Sequence, residues 1–450
     1  MIPRPRLKPR LKAQLRASVA LAAVLAQLAA LASPAAAFCG FYVAKADSKL
    51  FNKSSKVVLA REGQTAAITM ASDYEGEPKE FALVIPVPTF IERKQIGVVE
   101  MKTIDHIDAF TAPRLVEYHD EDPCAPRPSV VTALAPGALM RGDAVKLADS
   151  VRYRGVTIEA NYDVGEYDVI ILSATESDGL TNWLNDNDYK IPSGAEAVLG
   201  SYIKQKMRFF VAKVNLDRMQ LLGTGYLRPL QVRYESAKFM LPLRLGTVNA
   251  SGPQDLIIYA LTRTGRIETA NYRTVKLPSN VAVPLFVKQE FGDFYRAMFD
   301  HAVARENMRA VFVEYAWDMG WCDPCAADPM SHKELVEVGA RWIGSAEDKP
   351  FRGEGGSAFV TRLHVRYDAT SFPEDLALME TPDRSNFQGR YILQHPWRGN
   401  ASCDAAESYR ASLPARFRQE AHNLADLTGW AQAEIETRME VAGQSLRGNK

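Results

Sequence analysis

Lys56-Val57-Val58-Leu59-Ala60-Arg61-Glu62-Gly63-Gln64-Thr65-Ala66-Ala67-Ile68-Thr69-Met70 is the stretch whose reading decides the fold class. Residues 56–60 and 65–70 are apolar runs of strand length. Between them, Arg61-Glu62-Gly63-Gln64 supplies a polar turn with a glycine, the pattern of a β-hairpin. Outward from this hairpin the texture persists. Glu75-Gly76 marks another turn and 81–85 another strand, which Pro86 and Pro88 are expected to end because proline cannot donate to a ladder. Strand patterning returns at 156–160, 167–172, 208–216, 256–262 and 272–277, and Gly265 between the last two suggests a hairpin.

Helical spacing is confined to shorter segments. Asp178 is placed to cap a helix over 179–186, and 195–206 reads as another. Phe291, Phe294, Tyr295, Met298, Phe299 and Ala302 recur at helical intervals within 287–304. Ser331, with Glu334 at the capping-box position, should open a helix running to about residue 342. Leu424, Leu427, Ala431, Ile435 and Met439 form the apolar stripe of an amphipathic helix over 414–439. These signals predict an α+β protein. A β-rich antiparallel part (38–280) carries a Pro/Ala-rich loop at 121–149. A smaller mixed α/β part (281–450) closes with the amphipathic helix.

The chain has 450 residues, with 54 basic and 54 acidic residues and a formal net charge of zero. That balance is a sum over two unlike pieces. Residues 1–16 hold Arg4, Arg6, Lys8, Arg10, Lys12 and Arg16 and no acid, followed by an apolar run over 17–32 and then Ala35-Ala36-Ala37. A basic start, a short apolar run and a small-x-small site compose a secretory signal over 1–37, with cleavage expected after Ala37. The apolar run falls short of the roughly 20 residues of a membrane span. Cleavage would leave 38–450 with 48 basic against 54 acidic residues, a net of −6. Such a chain is not drawn to nucleic acid, and no later segment suggests stable membrane insertion. The expected location is extracytoplasmic, periplasmic or secreted.

Five cysteines remain after such cleavage: Cys39, Cys124, Cys322, Cys325 and Cys403. All are disulfide candidates in an oxidising compartment, and two bridges with one cysteine left over allow fifteen arrangements. Cys322-Asp323-Pro324-Cys325 follows Trp321 and a strand-like run, the layout of a thiol–disulfide redox site. Against that stand Pro329, the negative charge of Asp323 between the thiols, and the lack of βαβ order. A small structural disulfide loop, or two cysteines each bridging elsewhere, is the preferred reading of the same residues. A zinc site would need ligands from afar, since His332 is the only nearby imidazole.

His106 with Asp105 and Asp108, and His119 with Asp120, Glu121 and Asp122, mix imidazole and carboxylate, but neither matches a calcium loop, and a solvated acidic surface is the plainer reading. In 359–367, Val360, Arg362, His364 and Arg366 share one face of a strand. Arg362, His364 and Arg366 could hold an anionic group, or the arginines could pair with Glu374, Asp375, Glu380 and Asp383 nearby in sequence. The second is the expectation. No motif for a metalloprotease, serine hydrolase, nucleotide-binding loop or dinucleotide fold is present, and no cofactor or metal is expected.

Phe38-Cys39-Gly40-Phe41-Tyr42-Val43-Ala44, Ile85-Pro86-Val87-Pro88, Leu241-Pro242-Leu243-Arg244, Trp321-Cys322-Asp323-Pro324-Cys325, the 362–367 run and Gln388-Gly389-Arg390-Tyr391 together resemble a bacterial family of exported proteins, domain of unknown function 2330. The resemblance spans nearly the whole mature chain and implies export. It brings no activity, cofactor or catalytic residue. The expected function is a non-catalytic binding or envelope-associated role. The alternatives are a thiol–disulfide oxidoreductase or redox sensor using Cys322 and Cys325 and, more weakly, a hydrolase whose site assembles in space.

Overall fold

A computed structural model describes residues 41–447, except 45–50, 76–80, 126–150, 154–155, 176, 188, 190, 192–193, 223–226, 249, 251, 322, 324–327, 345–349, 353–356 and 401. Most of the 121–149 loop therefore lies outside the described residues, as do Cys39, Cys322 and Cys325.

The opening hairpin forms as expected. β2 (Phe51–Glu62) pairs antiparallel with β3 (Thr65–Glu75), with Glu62 opposite Thr65. Gly63 takes φ +59° in the two-residue turn, where a side chain would be strained. The hairpin sits inside a nine-stranded sheet. Beside β2 lie β13 (Gln254–Thr262), β18 (Phe359–Tyr367), β17 (Ala310–Asp318) and β15 (Arg273–Lys276) in that order; β20 (Phe387–Gln388) also pairs with β17. Beyond β3 come β11 (Leu230–Glu235) and β5 (Ile96–Val98). Strands from both sides of residue 280 thus share one sheet. It is not wholly antiparallel, since β13–β2 and β15–β17 are parallel.

A six-stranded sheet packs against it, in the order β1 (Phe41–Ala44), β4 (Phe81–Val87), β10 (Arg208–Val214), β9 (Tyr167–Ala174), β8 (Val156–Val164) and β7 (Val151–Tyr153). β4 runs through Pro86 rather than stopping before it. Among the described residues β1 pairs with Phe81, Ala82, Leu83 and Val84, and none of them pairs with Pro86 on that side of β4, so its missing N–H breaks no described ladder bond there. The core between the sheets joins Val57, Leu59, Ile68 and Met70 of the hairpin to Leu83, Ile85, Ile171 and Phe210. Each such side chain contributes roughly 1.5–3 kcal/mol on burial.

Helices cover both outer faces. On the six-stranded sheet, α2 (Ser177–Asp186) and α3 (Ala195–Lys204) bury Leu180, Leu184, Leu199 and Tyr202. On the nine-stranded sheet, α1 (Met101–Thr111) packs at one end and α6 (Phe291–Arg305) at the other. The result is four layers, α/β/β/α, with both faces of each sheet covered. This is why 56–60 reads as a continuous apolar run: Val57 and Leu59 face the other sheet, while Val58 and Ala60 face helices. Short helices α4 (Leu216–Leu221) and α5 (Arg244–Val248) follow β10 and β12 (Met240–Leu241). Two three-stranded sheets complete the strands: β12, β19 (Leu376–Glu380) and β14 (Ile267–Thr269); and β16 (Val281–Ala282), β21 (Arg390–His395) and β6 (Arg114–His119).

Three local expectations are corrected. Gly265 does not turn a hairpin. The chain past it pairs with β19, and a side chain at Gly265 would meet the Asp383 carbonyl at 2.5 Å. The Ser331 capping box forms, but α7 (His332–Glu337) ends well short of residue 342. Gly339 takes φ +107° there, and its Cα lies so close to the hairpin that a Cβ would stand 2.5 Å from the Ala67 Cβ. The C-terminal amphipathic stretch is two helices, α8 (Asp404–Thr428) and α9 (Gln432–Val441). Gly429, at φ +71°, caps α8 and breaks the stripe. Leu424, Leu427, Ile435 and Met439 are nonetheless buried against α6 in one cluster, while Ala431 is exposed.

Two measurements probe these contacts. Gly339→Ala should lower the stability by about 1–3 kcal/mol in urea unfolding, from strained backbone and overpacking; an unchanged midpoint would contradict the close approach. Glu420 of α8 is buried, and its Oε2 accepts a 2.8 Å hydrogen bond from Gln444. Burial pushes its carboxyl up to about 7, against the pull of Arg416 at 3.5 Å. A raised carboxyl stabilises the fold fully below its ordinary value near 4.5, and that contribution is lost as the pH rises through about 7. Glu420→Gln should therefore gain stability relative to the parent between pH 5 and pH 8, on the order of 3 kcal/mol. Parallel pH–stability curves would refute this.

Candidate functional site

β18 presents Arg362, His364 and Arg366 on its helix-covered face, as the alternation predicts, with Leu363 and Val365 on the other. β17 supplies the partner, Glu314. Its pairing with β18 shifts between Val313 and Tyr315, leaving Glu314 as the extra residue of a β-bulge. The bulge puts Glu314 and Tyr315 on the same face. Val311, Val313 and Ala316 lie in the core between the sheets, while Ala310, Phe312 and Tyr315 lie under helices. Glu314 sits at the seam between the two helix-covered clusters with no exposure at all.

The Glu314 carboxylate is enclosed by donors. Arg362 Nε donates to Oε2 at 2.6 Å, His364 Nδ1 lies 3.0 Å from Oε1, and the Tyr295 hydroxyl of α6 donates to Oε1 as well. Arg362 reaches on to α1, where Nη1 lies 2.5 Å from Asp108 Oδ1 and 3.3 Å from Thr111 Oγ1. Asp108 also accepts from the Tyr259 hydroxyl at 2.8 Å and pairs with Lys56 at 2.6 Å. Burial alone would raise both acids. His364 and Arg362 override it at Glu314, as Arg362 and Lys56 do at Asp108, and each carboxyl is held down at about 2. Burial would lower the Arg362 guanidinium, but Tyr259, Glu314 and Asp108 raise it well above its ordinary value.

The row continues outward. Arg366 makes a bidentate pair with Asp255 of β13 at 2.8 and 2.7 Å and reaches Asp300 of α6 at 2.5 Å. His364 stacks on Phe299 with ring centroids 3.7 Å apart. Its Nε2 has no hydrogen-bond partner among the described residues and lies 3.9 Å from Asp255 Oδ1. The arginines thus pair with carboxylates, but not with those nearby in sequence. Asp375 accepts instead from Tyr202, Glu380 from Thr264, and Asp383 pairs with Arg266. Every anion partner of Arg362 and Arg366 is supplied by a distant segment, which only the sheet order and the two helices bring together.

Other candidates have separate fates. Cys124 and Cys403 are joined by a disulfide that closes a span of 279 residues. Asp323, between the two undescribed cysteines, has its carboxylate bound by the Tyr315 hydroxyl at 2.9 Å and by Gln388 Nε2 at 2.8 Å. Asp323 lies between the two cysteines in sequence, where a carboxylate works against thiolate formation. His106 bridges Glu334 and the Asp328 carbonyl at 2.8 Å each. His119 stacks on His395, while Asp120 accepts from Tyr409, Gln394 and Arg416. His332 is buried against Phe351. Among the described residues no group of three or more His, Cys, Asp or Glu is placed to hold a metal.

A cleft of about 430 Å³ opens elsewhere, between α3 and the β12–β19 strands. Lys238 and Arg244 line it with Asn271, Glu374 and Asp375, over an apolar wall of Phe239, Met240 and Leu378. Arg244 belongs to the Leu241-Pro242-Leu243-Arg244 segment. Nothing in sequence marked that segment as a binding wall, because its partners come from residues 201, 271 and 374–378.

The sequence model of DUF2330, described as an uncharacterized protein conserved in bacteria, matches residues 33–379. No curated protein and no solved structure matches the chain. Among the described residues no helix is long and apolar enough to cross a membrane.

Truncating Glu314 should expose the cost of the seam. Glu314→Leu leaves Arg362 buried without its main partner and should cost about 3–5 kcal/mol in urea unfolding. Glu314→Leu with Arg362→Met should recover at least half of that loss. A single variant as stable as the parent would show the pair to be dispensable.

Proposed function

The chain belongs to the DUF2330 family, and on its own residues we propose that it is an exported, non-catalytic binding protein of the cell envelope or its surroundings. One observation carries the binding part: the cations of the cleft make no direct ion pair with described residues, while Arg362 and Arg366 are paired with carboxylates of the chain. Arg362 and Arg366 are held by carboxylates of the chain, so an incoming anion would have to displace Glu314 and Asp108, or Asp255 and Asp300. Arg244 and Lys238 make no ion pair with any described residue, and they face an open volume. A group already neutralised contributes fold stability. Arg244 feels the charge of Asp375 but makes no direct ion pair with it, so its remaining donors in a concave site stay available to a ligand.

Export is supported by the leader-like start and by a disulfide between residues far apart in sequence, the kind of bond that persists in oxidising compartments. The rival redox reading keeps Cys322 and Cys325 as its residues, with Asp323 bound between them as the argument against it. Expression of the full chain in a bacterial host, with fractionation and N-terminal sequencing, tests export. The expected product is extracytoplasmic, begins at Phe38 and carries the Cys124–Cys403 bond under non-reducing peptide mapping. An intact Met1 with both cysteines as free thiols would overturn it. A disulfide-reductase activity abolished by Cys322→Ser would replace binding with redox chemistry.

A further inference from the structure

We propose that the cleft between α3 and the β12–β19 strands binds a small zwitterion, an amino acid or dipeptide with an apolar side chain; this rests on the reading of the chain as a binding protein. The carboxylate end is assigned by the two cations. Arg244 is held from behind, with Nη1 donating to Ser201 Oγ at 2.8 Å and its backbone N–H to Asp375 Oδ1 at 3.1 Å. Its Nε and Nη2 donate to none of the described residues, which leaves two of the fork's donors for a carboxylate. Lys238, beside it, makes one long bond of 3.3 Å to Gln205.

The ammonium end follows from the acids. Asp375 is consumed by the fold, its Oδ1 accepting from the Tyr202 hydroxyl at 2.7 Å, Leu243 N at 2.9 Å and Arg244 N. Glu374 is exposed, and its carboxylate pairs with no cation among the described residues and has there only a 3.4 Å contact from Asn271 Nδ2. It is therefore free to meet an amine. The same two acids disfavour a multiply charged oxyanion such as phosphate, which they would repel. Phe239, Met240 and Leu378 give an apolar side chain somewhere to rest, and about 430 Å³ suits one or two residues rather than a long peptide.

Isothermal titration of the purified protein with L-leucyl-L-leucine tests this. The dipeptide is expected to bind, and its C-terminal amide and its N-acetyl form should each bind about tenfold or more weakly, the loss expected for one charged hydrogen-bonded contact. Arg244→Gln should erase the difference between acid and amide, and Glu374→Gln the difference between free and acetylated amine. If Arg244→Gln lowers the melting temperature, the exposed Lys238→Gln should show the same weakening for the acid form with the fold intact. No binding of the dipeptide at millimolar concentration, tighter binding of inorganic phosphate, or dipeptide affinity unchanged in the folded variants would each overturn the assignment. Export, tested separately by N-terminal sequencing, would stand or fall on its own result.

Discussion

A carboxylate with no contact with solvent, Glu314, holds the helix-covered side of the large sheet together. Burying an ion is costly unless its field is answered at close range, and here the answer comes from three directions. Arg362 and His364 reach it from the neighbouring strand and Tyr295 from α6. Arg362 then carries the charge across to Asp108 on α1. Neither helix can leave the sheet without stranding a charged group. The network thus fixes where α1 and α6 dock, which apolar packing against a sheet face would leave less tightly specified.

The bulge at Glu314 makes this possible. In a regular strand, Glu314 and Tyr315 would face opposite ways. Glu314 shares the helix side with Phe312, and the extra residue brings Tyr315 to that side as well and lets Ala316 rejoin the core between the sheets. The bulge is itself secured, because Gly389 donates its N–H to the Glu314 carbonyl at 2.7 Å. A Cβ at Gly389 would stand 3.1 Å from that carbonyl, so glycine is the residue that allows the approach.

The polar residues therefore divide by role. Those of the network over the large sheet, from buried Glu314 out to exposed Asp300, pair mostly with one another and fix the register of helices over a sheet. Those around the cleft are partly spent: Asp375 ties Tyr202 of α3 to the start of α5, while Arg244, Lys238 and Glu374 keep capacity. The contacts that hold one wall of the cleft thus leave donors and a carboxylate open on it; on the proposed binding reading, that wall is formed before a ligand arrives. The Cys124–Cys403 bond adds a covalent tie between the segment after β6 and the start of α8, beside the β21–β6 pair.

By itself the sequence determined the local elements: the 56–70 hairpin, the Ser331 cap, the aromatic face of α6 and the one-sided row on β18. Each depends on neighbours a few residues apart, where periodicity and turn chemistry act directly. The lone acid in Ala310-Val311-Phe312-Val313-Glu314-Tyr315 was also visible there, a charge inside an apolar run, and such a residue needs a buried partner. Only the tertiary structure decided which partner. Arg362 lies 48 residues from Glu314 and 254 from Asp108, and their meeting depends on strand order, a bulge and the docking of two helices. The same holds for the parallel joins in the large sheet, for α7 stopping at Gly339 against Ala67, and for the cleft around Arg244. A charge pair or a cavity is a property of positions in space. The pattern along a chain carries that information only when the two ends of the contact are also close in sequence.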